Sequence, residues 1–337
     1  MSNSNQTITE VMRTPVPAKA KQSARARMLT IGRDFGIVGA LLVLFVVLSI
    51  ASPAFLTPFN LSNLLDGLAP MGILAIGMTL VIIAGGFDLS IGAIFAVGAI
   101  VAAMSTNATG SAWLGLIAGL VVGAGLGTLN GLATTYGKLN PFVATIASTM
   151  VFAGIALALS NGKLIVIQDE AFKNFAQPRF LGLKVTVYIF IAVILLYMFL
   201  LNRTVFGRHV YAVGGNAAAA RMAGVRVNQT RALTYVLMGF CAALAGIMSA
   251  SRTGTVDATI GSGIEFTAIA AVLVGGTSVM GGAGAIWRTL VGVLLLQLIG
   301  NGFNLLGVQP TYQRIFTGLI IVLAVGWDSW IRASNRR

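Results

Sequence analysis

An all-α polytopic membrane protein with about ten transmembrane helices is the fold class this sequence predicts, and three observations predict it. Of its 337 residues, 57% are hydrophobic and only 9% charged, too few polar groups to clothe a water-facing surface. The apolar residues arrive in runs of roughly 16 to 24, and about 20 helical residues cross the hydrocarbon core of a bilayer. The 41 glycines would weaken helices in water. In lipid they are tolerated, because the backbone has no competing partner there and small residues let helices approach.

Taken in order, the apolar runs place spans at 36–52, 67–84, 89–105, 112–135, 141–160, 185–201, 232–251, 266–280, 289–305 and 314–330. A basic tail over 1–35, carrying Lys19, Lys21, Arg25, Arg27 and Arg33, precedes them and is expected to lack structure. It is too long for the charged region of a signal peptide. Although Ser49-Ile50-Ala51 loosely resembles a cleavage site, the first span is expected to be retained. Residues 36–330 read as one transmembrane domain whose longest inside loop is 202–231, and 331–337 as a short basic C-terminus.

Ten spans put both termini on one side. With the tail cytoplasmic, Lys138, Arg203, Arg208, Arg221, Arg226, Arg231, Arg288, Arg332, Arg336 and Arg337 also fall inside. Outside fall Lys163, Lys173, Arg179, Lys184, Arg252 and Arg314, accompanied by Asp66, Asp169, Glu170, Asp257 and Glu265. This obeys the positive-inside rule loop by loop. The net charge of +13 therefore reads as orientation in a membrane, and no nucleic-acid partner is expected.

The fourth span carries Gly115, Gly119, Gly123, Gly127 and Gly131, an i, i+4 row that strips side chains from one helix face. Either another helix packs closely there or the bare backbone lines a pore. Val81-Ile82-Ile83-Ala84-Gly85-Gly86-Phe87-Asp88 is echoed by Val272-Leu273-Val274-Gly275-Gly276-Thr277-Ser278, with Gly92 answering Gly282. Duplicated helix-turn-helix elements would give this echo, and so would chance among glycine-rich apolar sequences.

Enzyme motifs are absent. The sequence holds no phosphate-binding Gly-x-x-x-x-Gly-Lys-[Ser/Thr], no His-Glu-x-x-His and no cysteine cluster, Cys241 being single. Its one histidine, His209, sits among loop arginines and reads as solvated. No catalytic, metal or cofactor residue is assigned. Asp88 is the intramembrane carboxylate candidate. It reads either as the cap of the helix that follows or as a substrate or gating group. In the loop 202–231, Asn216 is a good N-cap, Ala217 to Ala220 favour helix and Gly224 is a good stop, which predicts a two-turn helix outside the bilayer. A short rigid helix in a cytoplasmic loop is a handle for a partner; its arginines also serve topology, but topology does not explain the alanine run or Gly214-Gly215-Asn216 before it, which reads as a turn.

With these stretches in view, the sequence resembles the permease subunit of ribose-type sugar ABC importers, the branch that also serves xylose, arabinose and galactose. Gly85-Gly86-Phe87-Asp88-Leu89-Ser90-Ile91-Gly92 is similar to that family's Gly-Gly-[Ile/Phe]-Asp-Leu-Ser-x-Gly, and Asn140-Pro141-Phe142-Val143-Ala144-Thr145 to its Pro-Phe-[Ile/Val]-Ala-Thr. Ala270-Ala271-Val272-Leu273-Val274-Gly275-Gly276-Thr277-Ser278 and Asn301-Gly302-Phe303-Asn304-Leu305-Leu306-Gly307 match further, and the likeness covers nearly the whole chain. One departure is the bulky Trp287-Arg288 within Gly284-Ala285-Ile286-Trp287-Arg288-Thr289, where the family keeps small residues.

The resemblance implies a type II ABC importer-like permease in a bacterial inner membrane, without its own ATPase and with no cofactor bound by this chain. Its partners would be a second permease copy, identical or paralogous, an ABC ATPase that uses ATP and Mg²⁺, a periplasmic sugar-binding protein, and membrane lipid. The segment around Gly214, Gly215, Asn216, Ala219, Arg221 and Gly224 resembles the one that docks on the ATPase. A neutral monosaccharide, or a polyol, suits an inventory of uncharged groups. Asp88, Asn140, Gln297, Asn301 and Asn304 are the candidates for a translocation path or gate, with Asn130 also available. The alternative is an ion-coupled secondary transporter of a small polar solute, which would need an essential buried carboxylate.

Overall fold

The computed structural model describes residues 24–309, 311–313, 315, 316, 318–320, 322, 323 and 326, with side chains from Gly36 onward. Residues 1–23 of the expected tail, the C-terminus 331–337 and much of the span expected over 314–330 lie outside the described residues. The chain divides into two compact units between Gly36 and Ile37, and the packing below is that of the unit beginning at Ile37.

The helices are α1 (Ala24–Ala51), α2 (Pro58–Ile83), α3 (Ile91–Thr109), α4 (Ala112–Thr135), α5 (Pro141–Ser160), α6 (Glu170–Asn174), α7 (Val185–Arg203), α8 (Val205–Gly215), α9 (Ala217–Met222), α10 (Val227–Thr253), α11 (Ile264–Val274) and α12 (Ile286–Leu305). Among the described residues, α2, α3, α4, α5, α7, α10 and α12 are long and apolar enough to cross a membrane. Their starts follow local chemistry. Thr57 caps α2 with Oγ1 accepting from the Asn60 N–H at 3.3 Å, and Pro58 occupies the first turn, where no donor is missed. Asn140 caps α5 in the same way, its Oδ1 accepting from the N–H of Phe142 at 2.9 Å, with Pro141 following.

α11 departs from expectation. The apolar run predicts a span over 266–280, but α11 stops at Val274 after 11 residues, about 17 Å of helix against a hydrocarbon core of about 30 Å. The cause is the Gly275-Gly276 pair: Gly276 turns to φ +78°, a left-handed conformation that ends a helix, so the chain over 275–285 turns back instead of continuing as helix.

α2 is buried along most of its length, as a helix that is apolar on every face must be. It runs antiparallel to α12: Asn60 and Asn301 exchange amide hydrogen bonds at 3.1 and 2.7 Å near one end, and Thr79 and Thr289 share one at 2.8 Å near the other. On its remaining sides α2 meets α7, where Gly72 faces the Phe190 ring, and α10, where Gly77 faces Met238 and Cys241. The glycine row of α4 splits between two neighbours. A Cβ on Gly115 or Gly119 would meet α3, at the Ala102 and Gly98 carbonyls, and one on Gly123, Gly127 or Gly131 would meet α10 around Gly239, Tyr235 and Ala232.

Gly125, on the other face of α4, has nothing within 4 Å of a built Cβ. Gly127→Ala is therefore expected to cost about 1–3 kcal/mol by pushing α10 off, whereas Gly125→Ala stays neutral or gains a few tenths. Thermal melting of the two purified variants in one detergent reads the difference.

Short strands and loops close the end of the bundle where α3 finishes. β1 (Ile165–Val166) pairs antiparallel with β4 (Thr255–Val256), and β2 (Arg179–Phe180) with β3 (Leu183–Lys184). Asn107 near the end of α3 donates to the Val166 carbonyl at 2.8 Å and accepts from the Gln168 N–H at 3.0 Å. Lys184 pairs with Asp66 of α2. The other end of α3 begins beside Asp88, so these loops and the Asp88 turn lie at opposite ends of one helix.

Candidate functional site

The segment between α7 and α10 is almost wholly helical. Thr204 caps α8 through Oγ1, which accepts from the Gly207 N–H at 3.2 Å. Asn216 interrupts the helix with an extended backbone and then caps α9, Oδ1 accepting from the Ala219 N–H at 3.0 Å. Gly224 at φ +85° stops α9, and the Val225 N–H returns to the Ala220 carbonyl at 3.0 Å. The two-turn helix expected between Asn216 and Gly224 is thus present as α9. Gly214 and Gly215, expected as a turn, instead form the last turn of α8. Ala219, Arg221 and Met222 face outward, while Ala220 packs with Val213 of α8 and Val227 of α10. α9 is thereby fastened to both helices that flank it.

The end of α8 is seated on bare backbone. A Cβ on Gly214 would overlap the Ile83 carbonyl oxygen and come within 2.6 Å of the Gly282 nitrogen. The Gly282 N–H in turn donates to that Ile83 carbonyl at 2.9 Å. Three chain segments, the end of α2, the end of α8 and the turn after α11, therefore meet with no side chain between them. Tyr211, one turn back on α8, donates from its hydroxyl to the Gly284 carbonyl at 2.9 Å. Burial pushes its phenol above the usual range, so it remains a donor. From α10, the Arg231 Nε–H donates to the Ala84 carbonyl at 3.0 Å and the Tyr235 hydroxyl to the Phe87 carbonyl at 3.1 Å.

The echo seen in the sequence is a geometric one. After α2 the N–H groups of Ala84, Gly85 and Gly86 bond to the carbonyls of Leu80, Ile82 and Val81; after α11 those of Gly275, Gly276 and Thr277 bond to Ala271, Leu273 and Val272. Gly85 and Gly276 hold φ +82° and +78°. Both turns are the same helix stop, and they touch. Likeness ends there, because Gly92 lies in the first turn of α3 whereas Gly282 sits in a turn at φ +73°.

Asp88 is fully buried in the first of these turns. Its Oδ1 accepts from the Ser90 N–H at 2.9 Å, the Ser90 hydroxyl at 2.7 Å and the Asn130 amide at 3.3 Å, and Asn130 also donates to Ser90 Oγ at 2.6 Å. The residue at the cap position of α3 is Ser90, so Asp88 holds the turn that leads into the helix rather than capping it. It also ties that turn to α4 through Asn130. Asp88 Oδ2 and Asn130 Oδ1 have no hydrogen-bond partner among the described residues.

Apart from Asn130, the other path candidates are not brought to Asp88. Asn140 is exposed at the start of α5. Gln297 lies against Gly67, Asn301 pairs with Asn60, and Asn304 is exposed, all towards the opposite end of α2. Nineteen residues of α2 separate Asn60 from Thr79, roughly 30 Å at helical rise. The five therefore flank two ends of the bundle rather than one pocket. Trp287 is 40% exposed, and the close approach between the turn after α11 and α12 uses the Arg288 main chain, against which a Cβ on Gly275 would press at 2.6 Å. The bulky pair therefore leaves that contact intact. The hydroxyls of Tyr211 and Tyr235 and the guanidinium of Arg231 are joining groups that the sequence does not expose, since each reaches a carbonyl in a distant segment.

A family model described as "Branched-chain amino acid transport system / permease component" matches residues 60–325. The ribose import permease protein RbsC of Bacillus subtilis (strain 168) is 42% identical over 291 residues, 86% of this chain and 90% of that protein. RbsC of Escherichia coli (strain K12) is 39% identical over 294 residues, 86% and 92% of the two chains. The L-arabinose ABC transporter permease protein AraH of Azospirillum brasilense is 37% identical over 325 residues, 96% of each. No solved structure gives a significant match.

Proposed function

The chain belongs to the branched-chain amino acid transport system / permease component family, and on that footing we propose that it is the membrane-spanning subunit of an ATP-driven importer of a monosaccharide. Relatives named for ribose and for L-arabinose at 35–42% identity support a pentose as the cargo class. In this reading the chain sits in a bacterial inner membrane with both termini in the cytoplasm and about ten membrane-embedded segments, of which α11, at 11 residues, is too short to cross by itself. A second permease copy, an ATPase that binds ATP and Mg²⁺, and an external sugar-binding protein complete the transporter, and this chain binds no cofactor.

The observation that carries the mechanism is the side-chain-free seat of Gly214 on Ile83 and Gly282. α9, exposed along Ala219, Arg221 and Met222, docks on the ATPase. Closure of the ATPase pair displaces it. Because α9 is packed on α8 and α8 ends against backbone, the displacement passes to α2, to the turn after α11 and through Asp88 to α3 and α4. Packed backbone is not compressible, so the segments move together between two arrangements rather than yielding one by one. Cargo needs only hydrogen-bonding groups, and the neutral amides near both ends of α2 supply them.

Reconstitution with the ATPase and binding protein, followed by uptake of labelled pentoses and hexoses, tests this reading. Ala219→Asp and Arg221→Glu are expected to lose both uptake and ATPase binding by tenfold or more, roughly the 1.4 kcal/mol or greater that a misplaced charge costs at an interface, while still inserting in the membrane. Uptake that proceeds without any ATPase and follows an ion gradient would reject it.

A further inference from the structure

Beside the docking segment, three spans end around a recess of about 740 Å³. Its walls are the turn from α4 into α5, residue Arg221 of α9, and the first turn of α10 with the residues just before it. Four of the lining residues are cationic, Lys138, Arg221, Arg226 and Arg231, and none is acidic. Among the described residues, neither ion pair involves any of the four. Arg221 lies close enough to Arg231 to act on it electrostatically, so like charges face one another in the recess. Lys138 is held at φ +54°, a conformation that costs an ordinary side chain about 1 kcal/mol. Charges gathered against repulsion and strain, with no acidic residue among the described ones that line the recess, fit an anion that comes from outside.

The rim indicates which anion. Leu139, Phe142 and Val143, directly following Lys138 and opening α5, are 53–64% exposed. A basic hollow at the level where spans end, continuous with an exposed apolar helix face, matches a molecule with a phosphate head and an acyl tail. A soluble anion or an acidic protein segment would leave that apolar rim uncovered. Polybasic clusters at the cytoplasmic surface attract anionic headgroups by about 1 kcal/mol per charge.

We propose that this recess binds the phosphodiester headgroup of an anionic membrane lipid, with Lys138, Arg221 and Arg226 around the phosphate and the acyl chains lying along Leu139, Phe142 and Val143. Bound there, the lipid would touch α9 through Arg221 and would bear on the same segment that docks the ATPase.

The test uses the full chain in nanodiscs of phosphatidylglycerol, of phosphatidylcholine, or of mixtures, with retained lipid counted by native mass spectrometry after detergent extraction. The wild type is expected to retain phosphatidylglycerol over phosphatidylcholine by about tenfold or more, and Lys138→Gln with Arg226→Gln to erase that preference while melting as the wild type does in phosphatidylcholine. Arg226→Lys keeps the charge and retains the lipid. Arg203→Gln, at the end of α7 and outside the recess, leaves retention unchanged. Equal retention of the two lipids, or an unchanged preference in the double variant, overturns the proposal. So does displacement of the lipid by millimolar glycerol phosphate, which would mark a site for a free anion, or loss of the preference on adding the ATPase in mixed discs, which would assign the recess to the protein partner.

Discussion

Gly214→Ala is expected to reduce ATP-driven uptake by the reconstituted transporter roughly tenfold or more, and Gly215→Ala to leave it within about twofold, although the two changes are adjacent and chemically identical. A Cβ on Gly214 overlaps the Ile83 carbonyl oxygen and crowds the Gly282 nitrogen; a Cβ on Gly215 meets nothing within 4 Å. Both atoms that Gly214 would strike belong to the backbone, so no rotamer can swing aside. The end of α8 must lift from α2 or break the 2.9 Å bond between Gly282 and Ile83. Overpacking of this kind costs about 1–3 kcal/mol, which shifts a two-state junction by roughly 5- to 150-fold. The variant is expected to insert and to bind the ATPase, since α9 is untouched, while hydrolysing ATP with little transport. ATP turned over per sugar moved, compared between the two alanines, separates a broken linkage from a misfolded chain. Equal ratios would mean that the seat is ordinary packing.

Much of this arrangement is legible in the amino-acid order itself. Asn140-Pro141 announces the start of α5 because a capping side chain and a pre-set φ act locally. The Asn216-to-Gly224 helix is legible for the same reason. The glycine row on α4 shows that neighbours lie close, though not that α3 takes its first half and α10 its second, since both partners are distant in sequence. Local chemistry also misleads where two outcomes share one signal. Gly214-Gly215 reads as a turn because glycine favours turns, yet here glycine is required by the approach of Ile83 and Gly282, and the helix runs on through both residues. The apolar run to 280 reads as a full span because hydropathy does not register where Gly276 adopts φ +78°. Arg231 counts as one more inside charge in a topology argument. Its Nε–H on the Ala84 carbonyl is a tertiary fact with no sequence mark.

Asp88 separates the two transport mechanisms most directly. Asp88→Ala is expected to lower the melting temperature sharply, because the Ser90 N–H, the Ser90 hydroxyl and one Asn130 amide hydrogen all lose their acceptor inside a buried turn. Each stranded donor costs about 1–3 kcal/mol, so the variant falls at the severe end of single substitutions and its yield in the membrane falls with it. Asp88→Asn keeps an oxygen where Oδ1 stands and preserves all three bonds. At the second position it places an amide in the site of an oxygen that already has no partner among the described residues, exchanging one unsatisfied group for another at little net cost. Its fold is therefore expected to hold. What the asparagine removes is the ability to ionise. If ATP supplies the work, Asp88 is a brace between the α2 turn, α3 and α4, and Asp88→Asn retains ATP-driven uptake within a few-fold. If an ion gradient supplies it, a buried carboxylate is the group that must titrate or bind the ion, and the same variant is folded and inactive. Uptake and melting measured together on Asp88→Asn thus decide between a structural acid and a transporting one, and the bonds drawn into its Oδ1 favour the first.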